Sequence, residues 1–93
     1  INNINENEKE TTVYVYPNPF AETATLRITN LHELRIENLK IKFYDVIGKE
    51  VFPAMIRNAN YFLINREGLE AGIYFYKILS EKEVIGTGKL VIQ

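Results

Sequence analysis

Apolar and polar positions alternate along most of the chain after its first eleven residues. The clearest run covers residues 39–44, where Leu39, Ile41 and Phe43 alternate with lysines and a tyrosine. A period of two places alternate side chains on opposite faces of a strand. This run therefore predicts a strand with one buried face and one solvated face.

Further short runs are rich in β-branched and aromatic residues and are separated by turn residues, which favours strands over helices. They cover residues 12–16, 24–28, 61–64, 72–79 and 84–93, and a further return strand opens at Val51 and Phe52. Residues 30–38 fit a helical turn and a strand equally well, and we expect mostly loop there with a little strand. About seven strands without intervening helices predict an all-β fold, an antiparallel immunoglobulin-like β-sandwich.

Turn residues mark several strand ends. Pro17 and Pro19 cannot donate to a strand ladder, so they are expected to end the first strand and to bend the backbone at Asn18. Residues 45–49 predict a hairpin turn in which Gly48 adopts a positive φ. Pro53 predicts an edge or bulged strand.

The spacing of Leu69, Gly72 and Tyr74 predicts a tyrosine corner. A tyrosine just inside a strand after a corner can return its hydroxyl to the upstream main chain. We expect the Tyr74 hydroxyl to do so.

Residues 1–11 are rich in Asn and Glu and have no apolar period. We interpret them as a flexible lead-in, followed by one domain at residues 12–93. Ile1 is not an initiator, and no charged, then apolar, then small-residue segment follows it. We therefore expect a fragment or processed product whose export signal lies on another part of the precursor.

Composition excludes several classes of protein. The formal net charge is −1, and the 11 Lys and Arg residues are scattered among 12 Asp and Glu. No basic stripe is visible along the sequence, so we expect no nucleic-acid partner. The absence of cysteine excludes a disulfide frame and a thiolate metal site.

Candidates for catalysis are few, since the chain has one histidine, His32, one serine, Ser80, and one aspartate, Asp45. Their spacing does not match the settings in which a base activates a serine. We therefore expect no enzyme activity, no catalytic residue, no metal site and no cofactor.

The segment Gly86-Thr87-Gly88-Lys89 invites comparison with a phosphate-binding loop. The full pattern needs a glycine at Glu83, Ser or Thr at Leu90 and a following helix, and all three are missing. A strand bend or bulge explains both glycines better.

Tyrosines are the remaining candidates for a binding site. A tyrosine-lined platform could stack on sugars, whereas strand alternation favours tyrosines in the core and at its rim. We favour core and rim. The six residues are Tyr14, Tyr16, Tyr44, Tyr61, Tyr74 and Tyr76.

Four short motifs follow one another in a fixed order. The first is Pro17-Asn18-Pro19-Phe20. The second comprises Tyr44, Asp45, Gly48, Lys49 and Val51. The third comprises Leu69, Gly72, Tyr74, Tyr76 and Ile78, and the fourth is Gly88-Lys89-Leu90-Val91-Ile92. In this order, with the last motif at the end of the chain, the sequence resembles the C-terminal sorting domains of type IX secretion cargo.

The resemblance implies a non-catalytic secretion signal. Such a domain directs the N-terminal cargo domain of its precursor through the periplasm and the outer-membrane translocon, and a sortase-like surface peptidase then usually removes it. The cargo becomes a cell-surface or secreted protein. By analogy, cleavage is expected in or before residues 1–11. The expected recognition residues belong to the four motifs and are Pro17, Asn18, Pro19, Phe20, Asp45, Gly48, Lys49, Gly72, Tyr74, Ile78, Gly88, Lys89, Leu90, Val91 and Ile92.

The resemblance also suggests how recognition occurs. We expect the final strand to expose an edge that pairs with a translocon strand, with Lys89 and the terminal carboxylate discouraging promiscuous pairing. An uncovered edge would also allow isolated domains to form edge-strand dimers. The alternative is an immunoglobulin-like or fibronectin-like accessory module, or a carbohydrate-binding module, of a secreted hydrolase.

Overall fold

A computed structural model describes residues 12–29, 38–58 and 61–93. The described chain forms eight strands. They are β1 (Val13–Tyr16), β2 (Thr23–Ile28), β3 (Leu39–Tyr44), β4 (Glu50–Val51), β5 (Ala54–Arg57), β6 (Tyr61–Asn65), β7 (Gly72–Ser80) and β8 (Glu83–Ile92). The lead-in proposed for residues 1–11 and nearly all of the ambiguous stretch at 30–38 lie outside the described residues.

The strands form two four-stranded antiparallel sheets. The first has the order β1-β2-β6-β5 and the second has the order β4-β3-β7-β8. Apolar residues of both inner faces form one core between the sheets. The buried core residues are Phe20, Ala24, Leu26, Ile28, Leu39, Ile41, Phe43, Phe62, Ile64, Tyr74, Tyr76, Ile78, Leu90 and Ile92. This arrangement confirms the predicted antiparallel sandwich.

The return strand that was predicted to open at Val51 and Phe52 is divided into two strands. β4 pairs with β3 in the second sheet, whereas β5 pairs with β6 in the first sheet. Phe52 and Pro53 separate the two strands, so the chain changes sheets at this point. Proline interrupts a ladder because it lacks an N–H donor. The sequence predicted one edge or bulged strand here, whereas the chain forms two strands in different sheets.

The turn between β3 and β4 takes the predicted form. The Gly48 N–H donates to the Asp45 carbonyl oxygen (3.0 Å), and Gly48 has a φ of 89°. The Asp45 carboxylate also accepts hydrogen bonds from the N–H groups of Ile47 (3.1 Å) and Lys49 (2.9 Å). Asp45 is thus fixed as a turn residue.

The two glycines of β8 have different structural roles. Ile78 pairs with Gly86 but Leu79 pairs with Val84, which leaves Ile85 as an extra, bulged residue beside Gly86. Gly88 instead pairs regularly with Tyr76. The expectation that a bend or bulge explains both glycines was therefore wrong for Gly88.

Candidate functional site

The first and last sequence motifs meet at the outer edge of β8. The Asn18 side-chain amide donates to the Lys89 carbonyl oxygen (2.9 Å), and its carbonyl oxygen accepts from the Val91 N–H (3.0 Å). The Phe20 N–H then donates to the Val91 carbonyl oxygen (3.0 Å), and its own carbonyl oxygen accepts from the Gln93 N–H (2.8 Å). Residues 18–20, here called the clasp, thus act as a short parallel partner for the end of β8.

The local sequence explains why the clasp uses a side chain. Pro17 and Pro19 carry no N–H group, so the backbone around Asn18 can supply few donors to a neighbouring strand. The Asn18 amide offers one donor and one acceptor, which imitates a peptide group. Phe20 anchors the clasp because its side chain is only 1% exposed and belongs to the core. The two prolines are exposed to solvent.

Arg66 also holds the end of the chain, through hydrogen bonds to main-chain oxygens. One guanidinium nitrogen donates to the carbonyl oxygens of Gln93 (2.8 Å) and Ala21 (2.9 Å). The other two donate to the Leu69 carbonyl oxygen (3.2 and 3.1 Å). No pattern in the sequence indicated a role for Arg66, which follows the strand predicted at residues 61–64. Its partners are main-chain oxygens, which every residue type carries, so the sequence does not indicate them.

The third motif forms the tyrosine corner that its spacing predicted. The Tyr74 hydroxyl donates to the Glu70 carbonyl oxygen at 2.7 Å. Leu69, which begins the motif, packs against the core. The Leu69 carbonyl oxygen also accepts a hydrogen bond from Arg66, which in turn donates to Gln93. Arg66 therefore connects the tyrosine corner to the end of the chain.

Strand register brings all four motifs to one end of the second sheet. Tyr44 lies opposite Phe75, so the turn that follows β3 lies towards the start of β7. Gly72, at the start of β7, pairs with Ile92 near the end of β8. The turn at residues 45–49 is separated from β8 by the width of β7, roughly 10 Å for two strand spacings. Ile78 lies apart from this end, in the buried middle of β7.

Gly88 leaves space for a core side chain. A Cβ atom at Gly88 would collide with the ring and hydroxyl of Tyr76. Burial also raises the pKa of the Tyr76 phenol, because the charged form is poorly solvated there. The fourth motif therefore begins with a glycine because a tyrosine of the third motif lies over it.

The structure separates two of the three candidates for catalysis, Ser80 and Asp45. Ser80 pairs with Leu39 at the start of β3, whereas Asp45 follows the last residue of β3. Six residues at about 3.3 Å each place these two roughly 20 Å apart. His32 lies outside the described residues. Within the described ranges, no group of three or more His, Cys, Asp or Glu residues could hold a metal ion.

The tyrosines divide between the core and the outer faces. Tyr74 and Tyr76 are buried, as the core interpretation expected. Tyr14, Tyr16 and Tyr61 instead lie on the outer face of the first sheet, and Tyr44 occupies the outer face of the second. The preference for core and rim was thus wrong for these outward tyrosines.

On the described part of the chain, no helix is long and apolar enough to span a membrane.

Comparison with known proteins assigns the family. The model of the secretion system C-terminal sorting domain matches residues 14–93. The chain belongs to this family, the C-terminal sorting domains of type IX secretion. The family match supports a C-terminal sorting signal, and domains of this kind are typically non-catalytic. No match was found among curated proteins.

Solved structures support the fold. The crystal structure of the Lin-41 filamin domain matches with a TM-score of 0.59 and 13% sequence identity, over 91% of this chain and 93% of that chain. At this identity the likeness concerns architecture alone. It agrees with the immunoglobulin-like sandwich predicted from the sequence.

One expectation about the site needs correction. The last residues of β8 were expected to expose a free edge for pairing with another strand. In the structure the groups along this edge from Lys89 to Gln93 are bonded to the clasp. The edge at this end is thus already occupied by the chain itself.

Proposed function

We propose that this domain directs an N-terminal cargo domain through the type IX outer-membrane translocon, by contact and without catalysis. The observation that carries the proposal is the meeting of the first and last motifs, where the Asn18 side chain is bonded to Lys89 and Val91. Two motifs separated by about seventy residues form one surface in the fold. A translocon that recognises this surface therefore recognises the folded domain.

The recognition surface consists of exposed groups around the clasped end of β8. Pro17, Pro19 and Lys89 are exposed beside the clasp, and Lys49 is exposed on the neighbouring turn. We expect the translocon to contact these side chains, because the strand edge between Lys89 and Gln93 already has its hydrogen bonds. Pairing along that edge would require displacement of the clasp.

The fate of the domain follows the family pattern. Cargo and domain cross the periplasm together, and a sortase-like surface peptidase removes the domain at the cell surface. Residues 1–11 are the proposed cleavage region because their sequence carries no apolar anchoring. The cargo is then released or joined to a lipopolysaccharide.

An export assay tests the recognition surface. The chain is fused behind a fluorescent protein that carries a signal peptide, in a host with a working type IX system. We expect the fusion to reach the cell surface or the medium, and the double variant Lys49→Ala/Lys89→Ala to accumulate in the periplasm. Both lysines are exposed, so circular dichroism of the purified variant should be unchanged.

Lys82→Ala is the matched control, because Lys82 is an exposed lysine in the turn at the opposite end of β7. It should be exported normally. Full export of the Lys49→Ala/Lys89→Ala fusion would refute the proposed surface. Retention of the unmodified fusion would refute the sorting function itself.

A second candidate function rests on the outer face of the first sheet. Tyr14, Arg27 and Tyr61 lie side by side across three strands, and the Arg27 guanidinium lies 5.3 Å from the centre of the Tyr61 ring. Arg27 also donates to the Tyr16 hydroxyl (3.2 Å). Exposed tyrosine rings around an ordered arginine can stack on sugars. A saturable sugar titration that is lost in Tyr14→Ala or Tyr61→Ala would favour this carbohydrate-binding module.

A further inference from the structure

The outer face of the second sheet gathers positive charge that is dispersed in the sequence. The outward positions of β3, β7 and β8 carry four lysines: Lys40, Lys42, Lys77 and Lys89. Among the outward positions of this sheet, Glu50 is the single carboxylate, opposite Tyr44. The whole chain nevertheless has a formal charge of −1. We call this surface the lysine face.

Two of these lysines oppose each other directly. Lys42 of β3 pairs in register with Lys77 of β7. Like charges at directly opposed positions destabilise a sheet. The Lys77 ammonium lies 5.5 Å from the centre of the Tyr44 ring. In the described part of the chain, no carboxylate forms an ion pair with either lysine. The repulsion between Lys42 and Lys77 therefore does not contribute to the stability of the fold.

Apolar side chains are exposed between the lysines. Ile73 and Phe75 of β7 are 44% and 43% exposed on this same face. Phe75 lies between Tyr44 on one side and Lys89 on the other. A ligand that covers the lysine face must therefore be anionic and must also accept apolar groups.

We propose that the lysine face docks onto an anionic lipid bilayer. The lysines would meet lipid phosphates, and Phe75 and Ile73 would enter the interfacial region. Lysine acts as a point charge with no fixed fork geometry, so it suits phosphates that can rearrange around it. The four lysines are spread over three neighbouring strands, so they can meet several phosphates of an extended surface. Lys89 belongs to both proposed surfaces, whereas Lys77 belongs to the lysine face alone, so a test at Lys77 can fail without the export function failing.

Vesicle co-sedimentation tests the docking. The purified chain is mixed with vesicles of phosphatidylglycerol and phosphatidylcholine in equal parts, or of phosphatidylcholine alone. We expect binding to the anionic vesicles only, and a loss of binding as salt shortens the screening length below about 8 Å. Lys77→Glu should weaken binding about tenfold or more, because each basic residue contributes strongly near an anionic surface.

Matched variants distinguish binding through the lysine face from effects of net charge or of exposed apolar residues elsewhere. Lys82→Glu makes the same change of charge in the β7–β8 turn, off the lysine face, and should bind within about threefold of the unmodified chain. Phe75→Ser should weaken binding, whereas Ile56→Ser should not, because Ile56 is an exposed apolar residue of the other sheet. Circular dichroism verifies the fold of each variant.

Three results would overturn the proposal. Equal binding to neutral vesicles would exclude the charge attraction. Equal weakening by Lys77→Glu and Lys82→Glu would show that net charge acts without the lysine face. Binding to soluble polyglutamate but not to anionic vesicles would assign the face to an acidic protein instead.

Discussion

The two halves of β8 are held very differently. Residues 88–92 pair with β7 on one side and meet the clasp on the other. Residues 83–87 pair with β7 through a bulge at Ile85, and the clasp does not extend to them. The terminal half therefore behaves like an internal strand, whereas the first half is an edge. The residues nearest the end of the chain are thus among the most restrained in β8.

This difference bears on the proposed recognition of the last motif. Strands with a partner on one side open locally more readily than strands held on both sides. The clasp, the Arg66 contacts and the core side chains Leu90 and Ile92 all restrain the terminal half. A signal read by contact benefits from such order, because the binding partner does not have to order it.

Removal of the clasp anchor should have the largest effect. Phe20→Ala deletes a side chain that is 1% exposed, and we expect it to lower the free energy of unfolding by about 3–5 kcal/mol. Val84→Ala in the open half should lower it by about 0.5 kcal/mol or less, because Val84 is exposed. Urea denaturation measures both. Equal losses would show that the two halves are held alike.

The two glycines provide the next test. Gly88→Ala places a methyl group where the Tyr76 side chain lies, and we expect a loss of about 1–3 kcal/mol. Gly86→Ala brings a methyl group to 3.2 Å from Val13 Cγ2, a milder contact that should cost less than about 1 kcal/mol. The same denaturation experiment compares them. A larger loss for Gly86→Ala would contradict the tighter packing of the terminal half.

The Asn18 amide should have a moderate effect. Asn18→Ala removes two hydrogen bonds at a solvent-accessible edge, so we expect a loss of about 1–2 kcal/mol and faster hydrogen exchange at the Val91 N–H. Thr87→Ala, an exposed change in the open half, should leave both quantities unchanged. Unaltered exchange at Val91 in Asn18→Ala would mean that the clasp does not restrain β8.

The smallest effect should appear at alkaline pH. Burial raises the pKa of Tyr76 in the folded chain, so the stabilisation from its neutral phenol is fully present below the unfolded pKa of about 10. It is lost as pH rises from there through the folded pKa. Urea midpoints on either side of pH 10 should fall less for Tyr76→Phe than for Tyr14→Phe. Identical falls would show that the Tyr76 phenol is as solvated as an exposed one.

Local patterns predicted several features without tertiary information. The alternation at residues 39–44 predicted β3, and Asp45 with Gly48 predicted the hairpin turn. The spacing around Tyr74 predicted its hydrogen bond to the main chain. Each depends on residues that are close in sequence, where backbone geometry alone limits the outcome.

Features that depend on distant partners were missed or misread. One edge or bulged strand was predicted around Pro53, whereas the chain changes sheets there and β5 pairs with β6. The free edge expected near Lys89 is covered by residues from the other end of the domain. The outward tyrosines were placed in the core or at its rim, since alternation gives a period but not which face is buried.

The sequence alone determined the strand periods, the main turns and the order of the four motifs, because these depend on neighbouring residues. The tertiary structure decided that Asn18 holds the end of β8 and that four scattered lysines share one face. Both follow from strand register, which brings distant residues together only when two sheets pack on a common core. Contacts of this kind depend on the whole chain and cannot be assigned from any single segment.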